Sequence, residues 1–305
     1  MPLHVPPISR RSFLTRSAAA AIAVACGRSS SAASFGVEPD FIALLSDTHV
    51  PGDPAKTARG VNMTDNLAGT VKTLVTLKRR PAAVFINGDC AYLKGRPKDY
   101  KNFAKLIGPL SKAGLPLHLT MGNHDDRGPL YDALAAQRPE DPPVESKHVG
   151  IVSTPHADWI LLDSLMETNV VTGELGAAQL KWLKTVLSEG GEKPAIVMAH
   201  HTPQFEPNTE KTAWTGLKDS NVLFDLLESQ PRVKTFVYGH SHNWSISRRG
   251  RLHLVNLPPV AYVFAEGKPN GWVEARTRAG GLDLRLNTLD QQHPQSGETV
   301  SLKWS

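Results

Sequence analysis

Five short polar clusters, each directly after an apolar run, constrain the fold of this 305-residue chain more than any other feature. The apolar runs have the length and composition of buried strands. The clusters are Asp47-Thr48-His49, Gly88-Asp89, Gly122-Asn123-His124-Asp125, His200-His201 and Gly239-His240-Ser241-His242. Because residues that follow the carboxyl ends of strands meet at one edge of an α/β sheet, we expect the five clusters to form a single site.

The residue types in these clusters point to metal binding. Carboxylate oxygens, an amide carbonyl and neutral imidazoles are ligands for ions such as zinc, manganese and iron. Two four-coordinate ions need about eight donor positions, less those filled by water and substrate. The clusters supply seven protein ligands if one aspartate bridges both ions. The two cysteines, Cys26 and Cys90, offer no thiolate set for a structural zinc site.

Strand-like and helix-like segments alternate through the body of the chain. Predicted strands cover Phe41–Leu45, Ala82–Ile86, Leu115–Thr120, Trp159–Leu162, Ala195–Ala199 and Val233–Tyr238. Predicted helices cover Asn62–Arg80, Pro97–Leu110, Ala177–Leu187 and Asp219–Ser229. Three late segments without intervening helices predict an antiparallel tail, namely Leu252–Leu257, Trp272–Ala275 and Leu282–Leu286. The pattern indicates an α/β fold, with one mixed sheet or two packed sheets flanked by helices.

Taken in order, the clusters resemble the motif series of the calcineurin-like metallophosphoesterase superfamily. That series is D-x-H, G-D, G-N-H-D or G-N-H-E, a lone H, and G-H-x-H, and all five blocks occur between residues 47 and 242. Each block alone is common, but five in order, each after a predicted strand, form a specific pattern. The resemblance implies a four-layer α/β/β/α sandwich of two mixed sheets flanked by helices, and an enzyme that hydrolyses phosphate esters.

The resemblance also implies roles for the cluster residues. It implies a first ion held by Asp47, His49, Asp89 and His242, and a second ion held by Asp89, Asn123, His200 and His240. The ions are expected to be divalent or trivalent iron, manganese or zinc, with in-line attack on phosphorus by a hydroxide that bridges them. By the same resemblance, His124 stabilises or protonates the leaving oxygen, and Asp125 orients His124 through a hydrogen bond.

Several neighbouring residues leave alternatives open. His200 and His201 compete for one ligand position, and the resemblance favours His200 and places His201 at the rim. Cys90 is expected to be a small buried residue. Tyr92 completes a G-D-x-x-Y pattern, in which tyrosine binds ferric iron in purple acid phosphatases, but His49 already fills the corresponding place. Tyr92 therefore has two interpretations, as a metal ligand or as a residue that packs behind the ligands.

The leading hypothesis is hydrolysis of phosphodiesters, because the D-x-H, G-N-H-D and H-H-T-P stretches resemble the phosphodiesterase branch. The alternative is a phosphomonoesterase that resembles purple acid phosphatases, which Tyr92 would support. A non-catalytic scaffold, similar to the retromer subunit of this fold, is disfavoured because no ligand is missing. We expect the substrate to be chosen by the loops Pro51–Gly60 and Thr202–Gly216, with Phe205 and Trp214 as candidate contacts to the leaving group.

The net charge of +5 does not indicate nucleic-acid binding. Residues 1–33 contain four arginines and no acidic residue, so the remainder of the chain carries five minus four, or +1. A nearly neutral body lacks the basic face that nucleic-acid binding requires, which also disfavours a nuclease. We expect a phosphoesterase domain at 38–290 that acts on a small phosphate ester, followed by a tail at 291–305.

Residues 1–33 have the features of an export signal in the right order. Ser9-Arg10-Arg11-Ser12-Phe13-Leu14 matches the twin-arginine pattern, and the apolar run that follows is too short to span a bilayer. Small residues up to Ala33 favour cleavage there, whereas Ala23-Val24-Ala25-Cys26-Gly27 resembles a lipoprotein box with Cys26 as the lipidated residue. A basic N-terminal arm is the remaining alternative. We expect export by the twin-arginine machinery to the periplasm or the extracellular space, with a lipid anchor at Cys26 in the second case.

Overall fold

The computed structural model describes residues 36–208 and 213–304. The expected export signal at residues 1–33, with Cys26, lies outside these two stretches. None of the helices within them has the length and apolar character that a bilayer-spanning segment needs.

Two six-stranded sheets form the centre of the described fold. In spatial order, the first contains β14 (Thr299–Lys303), β13 (Gly281–Thr288), β12 (Gly271–Arg278), β1 (Gly36–Ser46), β4 (Arg79–Asn87) and β5 (Leu117–Thr120). The second contains β10 (Ser245–Arg249), β11 (Leu252–Asn256), β9 (Val233–Tyr238), β8 (Ala195–Met198), β7 (Asp158–Leu161) and β6 (Gly150–Ser153). Both sheets are mixed, because β1, β4 and β5 run parallel, as do β11, β9, β8 and β7. A separate hairpin consists of β2 (Thr57–Ala58) and β3 (Val61–Asn62).

Helices cover the outer face of each sheet. They are α1 (Met63–Thr76), α2 (Pro97–Lys112), α3 (Arg127–Ala133), α4 (Ala177–Glu189) and α5 (Ser220–Ser229), and a 3-10 turn (Ala135–Gln137) follows α3. The side chain of Asn62 caps α1, since it accepts hydrogen bonds from the backbone N–H groups of Thr64 and Asp65. Pro97 begins α2, where its fixed φ and missing N–H are tolerated.

The alternation of side chains along β1 defines the layers. Ile42 and Leu44 belong to a buried cluster with Trp159, which lies between the two sheets. Phe41 and Leu45 point the other way and pack in a cluster with α1 and α2. A third cluster joins the outer face of the second sheet to α4 and α5. The predicted four-layer α/β/β/α sandwich is therefore confirmed.

Most of the predicted segments occur, and β9 has the predicted bounds. The elements that the sequence did not predict are β6, β10, β14, α3 and the β2–β3 hairpin. The prediction for the late segments was wrong in one respect, because β11 joins the second sheet, parallel to β9 and antiparallel to β10. Residues 291–305, expected as a tail, contain β14, which pairs with β13 at the edge of the first sheet.

Candidate active site

The five clusters meet at the carboxyl ends of β1, β4 and β5 in the first sheet and of β8 and β9 in the second. They lie just beyond those strands, with Asp47 and His49 after β1, Asp89 after β4, Asn123 after β5, His200 after β8, and His240 and His242 after β9. The ligand atoms form three groups, each within 4.8 Å, which are Asp47, His49 and His242; Asp89, His200 and His240; and His49, Asp89 and His124. Neighbouring parallel strands thus bring residues from distant stretches of sequence to one place.

The first group has donor separations that suit a shared ion. His49 Nε2 lies 2.9 Å from His242 Nε2. Asp47 Oδ1 lies 3.4 Å from His242 Nε2 and 3.8 Å from His49 Nε2. Donors that are each about 2.1 Å from one ion lie roughly 3–4 Å from one another, as these three do.

Asp89 lies between the first and second groups. Its Oδ2 is 3.6 Å from His49 Nε2 and 3.4 Å from His200 Nε2. Its Oδ1 accepts a hydrogen bond of 2.8 Å from the backbone N–H of His124. One oxygen therefore fixes the side chain, and the other faces imidazoles of both groups. A carboxylate that bridges two ions requires this placement.

Three of the clustered imidazoles each use one ring nitrogen for a backbone carbonyl. The pairs are His200 Nδ1 with Asn87 O at 2.8 Å, His242 Nδ1 with Tyr262 O at 2.5 Å, and His240 Nε2 with Thr215 O at 2.7 Å. Because a carbonyl oxygen can only accept, the nitrogen that faces it carries the proton. The other ring nitrogen is therefore the one that can offer a lone pair to a metal ion, so each imidazole is oriented as a ligand needs.

The ligand loops have an unusual backbone. Nine non-glycine residues of the described chain have a positive φ, and five of them are Asp47, His49, Asp89, His240 and His242. Residues with side chains rarely adopt this left-handed region, at a cost of about 1–3 kcal/mol each. The concentration of strain indicates that the positions of these side chains, rather than local stability, determine the backbone here.

Two glycines of the clusters allow the ligand loops to touch. A Cβ atom on Gly122 would lie 2.1 Å from Asp89 Oδ1, and one on Gly239 would lie 2.7 Å from Asp47 Oδ2. Both distances are far below an ordinary van der Waals contact. Any side chain at either position would therefore displace a carboxylate that faces the donors.

The charges of the site call for cations. Burial opposes ionisation of Asp47 and Asp89, but the neighbouring imidazoles outweigh it and hold the pKa of both carboxyl groups below the usual range. Burial alone would lower the pKa of His200, yet Asp89 and Asp47 raise it to about 10. At His49 and His240, burial dominates and lowers the pKa to about 3 and about 4. Two ionised carboxylates beside the neutral imidazoles of His49 and His240 form a donor set for divalent ions.

Several polar atoms of the clusters are buried without a hydrogen-bond partner among the described residues. They include Asp47 Oδ1, Asn123 Oδ1 and His200 Nε2. Leaving such a group unpaired costs about 1–3 kcal/mol. Coordination of metal ions would satisfy these atoms, so the residues present fit the metal centre that the donor chemistry predicts.

Asp125 does not orient His124, and that prediction was wrong. Its carboxylate accepts hydrogen bonds from Cys90 N, Ala91 N and Tyr100 Oη on Oδ1, and from Gly122 N on Oδ2. Burial and the negative charge of Asp89 raise the pKa of Asp125 to about 6. The buried carboxylate ties the loop after β4 to the loop after β5, and so it holds two ligand loops together.

His124 is oriented by a backbone carbonyl instead. Its Nδ1 lies 2.7 Å from Leu93 O, which leaves Nε2 as the free ring nitrogen. The imidazole lines the cavity in front of the donors, and its ring centroid lies 5.3 Å from that of His49. His124 is therefore placed where a substrate oxygen would approach.

His201 is buried and does not lie at the rim, contrary to the prediction. Its Nδ1 lies 2.7 Å from Ser164 Oγ, and its ring centroid lies 4.7 Å from that of His240 and 5.1 Å from that of His200. His200 Nε2 lies 3.4 Å from Asp89 Oδ2, so His200 faces the donors, whereas His201 is bound to Ser164 beside them.

Cys90 and Tyr92, together with the nearby Asp163, also have defined places in the structure. Cys90 is a buried free thiol, and burial raises its pKa well above the usual range. Asp163 is buried and binds the guanidinium of Arg127 with both oxygens, each at 2.7 Å, which makes it structural. Tyr92 lines a neighbouring cavity, with Lys56 Nζ 5.1 Å from the centre of its ring.

A cavity of about 490 Å³ opens in front of the donors. Besides seven residues of the clusters, its lining includes Val171, Tyr262 and Phe264, which the sequence analysis missed. Phe205 and Trp214, the expected contacts, are not among the described lining residues, and Phe205 packs against Phe224. The available signal was the aromatic pair in Tyr262-Val263-Phe264, which follows the last strand of the second sheet and precedes a polar loop.

Comparison with known proteins identifies the family. The sequence profile of the calcineurin-like phosphoesterases matches residues 42–244. The chain belongs to the calcineurin-like phosphoesterase family. This membership, together with the groups of clustered ligands, makes the protein a metal-dependent phosphoesterase that uses divalent ions.

This calcineurin-like phosphoesterase has curated relatives with names that specify an activity. It is 27% identical over 225 residues to the glycerophosphodiester phosphodiesterase GpdQ of Enterobacter lignolyticus. The aligned region covers 73% of this chain and 78% of the relative. It is 28% identical over 249 residues to the 3',5'-cyclic adenosine monophosphate phosphodiesterase CpdA of Pseudomonas aeruginosa. The aligned region covers 81% of this chain and 85% of the relative.

A solved structure shares the fold of this calcineurin-like phosphoesterase. A dimetal phosphatase from Danio rerio superposes with a TM-score of 0.66 at 14% identity, covering 87% of this chain and 99% of that chain. At that identity, the likeness supports the four-layer architecture and nothing more specific.

Proposed function

We propose that this phosphoesterase hydrolyses phosphodiesters, with two divalent ions held by Asp47, His49, Asp89, Asn123, His200, His240 and His242. Both curated relatives described above are named phosphodiesterases, which supports this choice. Within the set, Asp89 bridges the ions, because its Oδ2 faces His49 and His200 at similar distances. When bound, the two ions supply Lewis-acid charge and lower the pKa of the attacking water.

The absence of basic side chains from the cavity carries the choice of a diester. Among the described residues that line it, none is lysine or arginine. Two carboxylates and two divalent ions leave a net charge of two positive units, which a hydroxide nucleophile and a monoanionic diester neutralise. A phosphomonoester is close to a dianion at neutral pH, since its second pKa is about 6. Its extra charge would have no lysine or arginine to offset it among the described residues that line the cavity.

The cavity also has room for a second ester group. Apolar side chains of Val171, Pro203, Tyr262 and Phe264 line it beyond the donors. A monoester has no group to place against them, whereas a diester does. The monoesterase alternative depended on Tyr92, which lines the neighbouring cavity beneath Lys56.

The ratio of two rates tests the proposal. We expect kcat/KM for bis(p-nitrophenyl) phosphate to exceed that for p-nitrophenyl phosphate by about tenfold or more, which is roughly 1.4 kcal/mol in transition-state binding. Both rates are measured on the protein reconstituted with manganese or zinc. The Asp89→Ala variant serves as the control that both activities arise from this site. A faster reaction of the monoester would overturn the proposal.

We also propose that the protein is exported through the twin-arginine route, on the sequence of residues 1–33 alone. Replacing Arg10 and Arg11 by lysine is expected to keep the protein in the cytoplasm of a bacterial host that has this machinery. Cell fractionation and immunoblotting measure the exported fraction. The matched control replaces Arg16 and Arg28, which lie outside the motif, by lysine. Export of both double variants to the same extent would contradict the proposal.

A further inference from the structure

Two exposed apolar side chains converge on the catalytic cavity. Seven large apolar residues of the described chain are exposed, and two of them, Val171 at 44% and Phe264 at 52%, line this cavity. They come from different loops, one between β7 and α4 and the other between β11 and β12. Exposed apolar groups that meet in one concave place are typical of a ligand-binding surface.

The ring of Phe264 is held in a fixed orientation beside the donors. It stacks on the imidazole of His242, with ring centroids 4.0 Å apart and planes inclined by 17°. Tyr262 stacks in the same way on His49, at 5.2 Å and 20°. The two aromatic rings therefore continue the surface formed by two of the proposed ligands, and half of Phe264 stays exposed.

A cationic side chain lies at the outer edge of this aromatic surface. The guanidinium carbon of Arg59 is 5.0 Å from the centre of the Phe264 ring and 5.9 Å from that of Tyr262. Among the described residues, the guanidinium of Arg59 contacts these two aromatic rings. A flat guanidinium and an aromatic ring are both surfaces on which a planar group stacks.

We propose that Phe264, with Arg59 at its edge, binds a planar aromatic group carried by one ester arm of the substrate. This inference rests on the proposed phosphodiesterase function and adds the chemical class of that arm. An aliphatic arm of the same size would fill the cavity but would gain no stacking on Phe264. Stacking of a base on an aromatic side chain is worth about 1–3 kcal/mol, so a planar group should improve binding by roughly 5- to 150-fold.

A pair of ligands that differ only in the planar group tests this subsite. Adenosine 3',5'-cyclic phosphate is compared with methyl riboside 3',5'-cyclic phosphate, which has a methoxy group in place of adenine. Both are used as competitors of bis(p-nitrophenyl) phosphate hydrolysis, so that inhibition constants are obtained whether or not either competitor is cleaved. In the unmodified enzyme we expect the adenine compound to bind about tenfold more tightly, within the range for one stacked base.

Variants of Phe264 separate stacking from other roles. Phe264→Leu keeps an apolar side chain and is expected to remove most of the preference for adenine, whereas Phe264→Trp is expected to retain it. The inhibition constant of the methyl riboside should stay unchanged in both. Val222→Ala, a change at an exposed apolar residue of α5 outside the cavity, is the matched control and should leave the ratio unaltered.

The outcomes distinguish this inference from the function on which it rests. An enzyme that does not hydrolyse bis(p-nitrophenyl) phosphate contradicts the proposed phosphodiesterase function itself. An active enzyme that binds both cyclic phosphates equally contradicts only the subsite. The subsite is also wrong if Phe264→Leu weakens both ligands by the same factor, because Phe264 would then act by holding His242.

Discussion

Replacement of Asp89 by alanine is expected to reduce hydrolysis to background and to remove both metal ions. Asp89 Oδ2 lies 3.6 Å from His49 Nε2 and 3.4 Å from His200 Nε2, so one side chain serves both proposed ion positions. Without it, each ion loses a ligand and the site loses one of its two negative charges. Since metal ions contribute several kcal/mol to such reactions, the loss of rate should be about 10⁴-fold or more.

Metal analysis by inductively coupled plasma mass spectrometry and activity on bis(p-nitrophenyl) phosphate measure this effect. Asp89→Asn is a second variant, because its amide oxygen can still accept the hydrogen bond that His124 N donates to Oδ1. Asp53→Ala is the matched control, since Asp53 is an exposed residue whose carboxylate accepts a hydrogen bond from the backbone N–H of Ala55. Circular dichroism establishes that the variants are folded. Two bound ions in a folded Asp89→Ala protein would show that Asp89 is not the bridge.

The sequence predicted the arrangement of the site better than its supporting contacts. Ligand types and their positions after strands are local properties, and parallel strands bring such positions together by geometry alone. Strands that are buried on both faces, such as β8, are continuous apolar runs with clear ends. Edge strand β10 has one apolar residue, Ile246, and β14 alternates polar and apolar residues but buries only Leu302, so neither forms the apolar run of a central strand.

Contacts between residues that are far apart in the sequence could not be predicted from local sequence pattern. Asp125 is adjacent to His124 in sequence, yet its carboxylate is bound to the loop after β4, including Cys90 N and Ala91 N. The partner of His124 is the carbonyl of Leu93, and a backbone group leaves no mark in the sequence. The parallel pairing of β11 with β9 likewise depends on which strand edge is free, rather than on the composition of β11.

The substrate side of the cavity was the least predictable part. Val171 and Phe264 contain no group that performs chemistry, and aromatic residues are found in cores more often than in sites. The sequence made Phe205 as good a candidate for a substrate contact as these residues. The structure instead packs Phe205 in the cluster between the second sheet and α5. Only the positions of the loops around the donors distinguish an aromatic residue of the cavity from one of the core.

Replacement of His124 by alanine is expected to preserve both metal ions and to slow the hydrolysis of alkyl phosphodiesters by about 10²- to 10⁴-fold, the usual contribution of a general acid. The Leu93 carbonyl fixes the proton on Nδ1, so protonation of the ring places the second proton on Nε2 at the cavity. That proton can be given to the leaving oxygen as the bond to phosphorus breaks. The backbone N–H of His124 continues to bind Asp89 Oδ1 in the variant, so the ligand is not disturbed.

His124 could instead hold a metal ion, because its ligand atom lies within 4.8 Å of those of His49 and Asp89. The dependence of the rate on the leaving group separates the two roles. p-Nitrophenolate is stable without protonation, so a general acid contributes little to its departure. His124→Ala should therefore slow the hydrolysis of an alkyl diester, such as a methyl ester, far more than the hydrolysis of bis(p-nitrophenyl) phosphate. The metal content measured by mass spectrometry should stay unchanged. A lost ion and an equal loss of rate for both esters would instead make His124 a ligand.

His148→Ala is the control for loss of an imidazole away from the donor groups, since His148 lies against Tyr131. The comparison of the two esters thus decides whether this imidazole handles a proton or an ion.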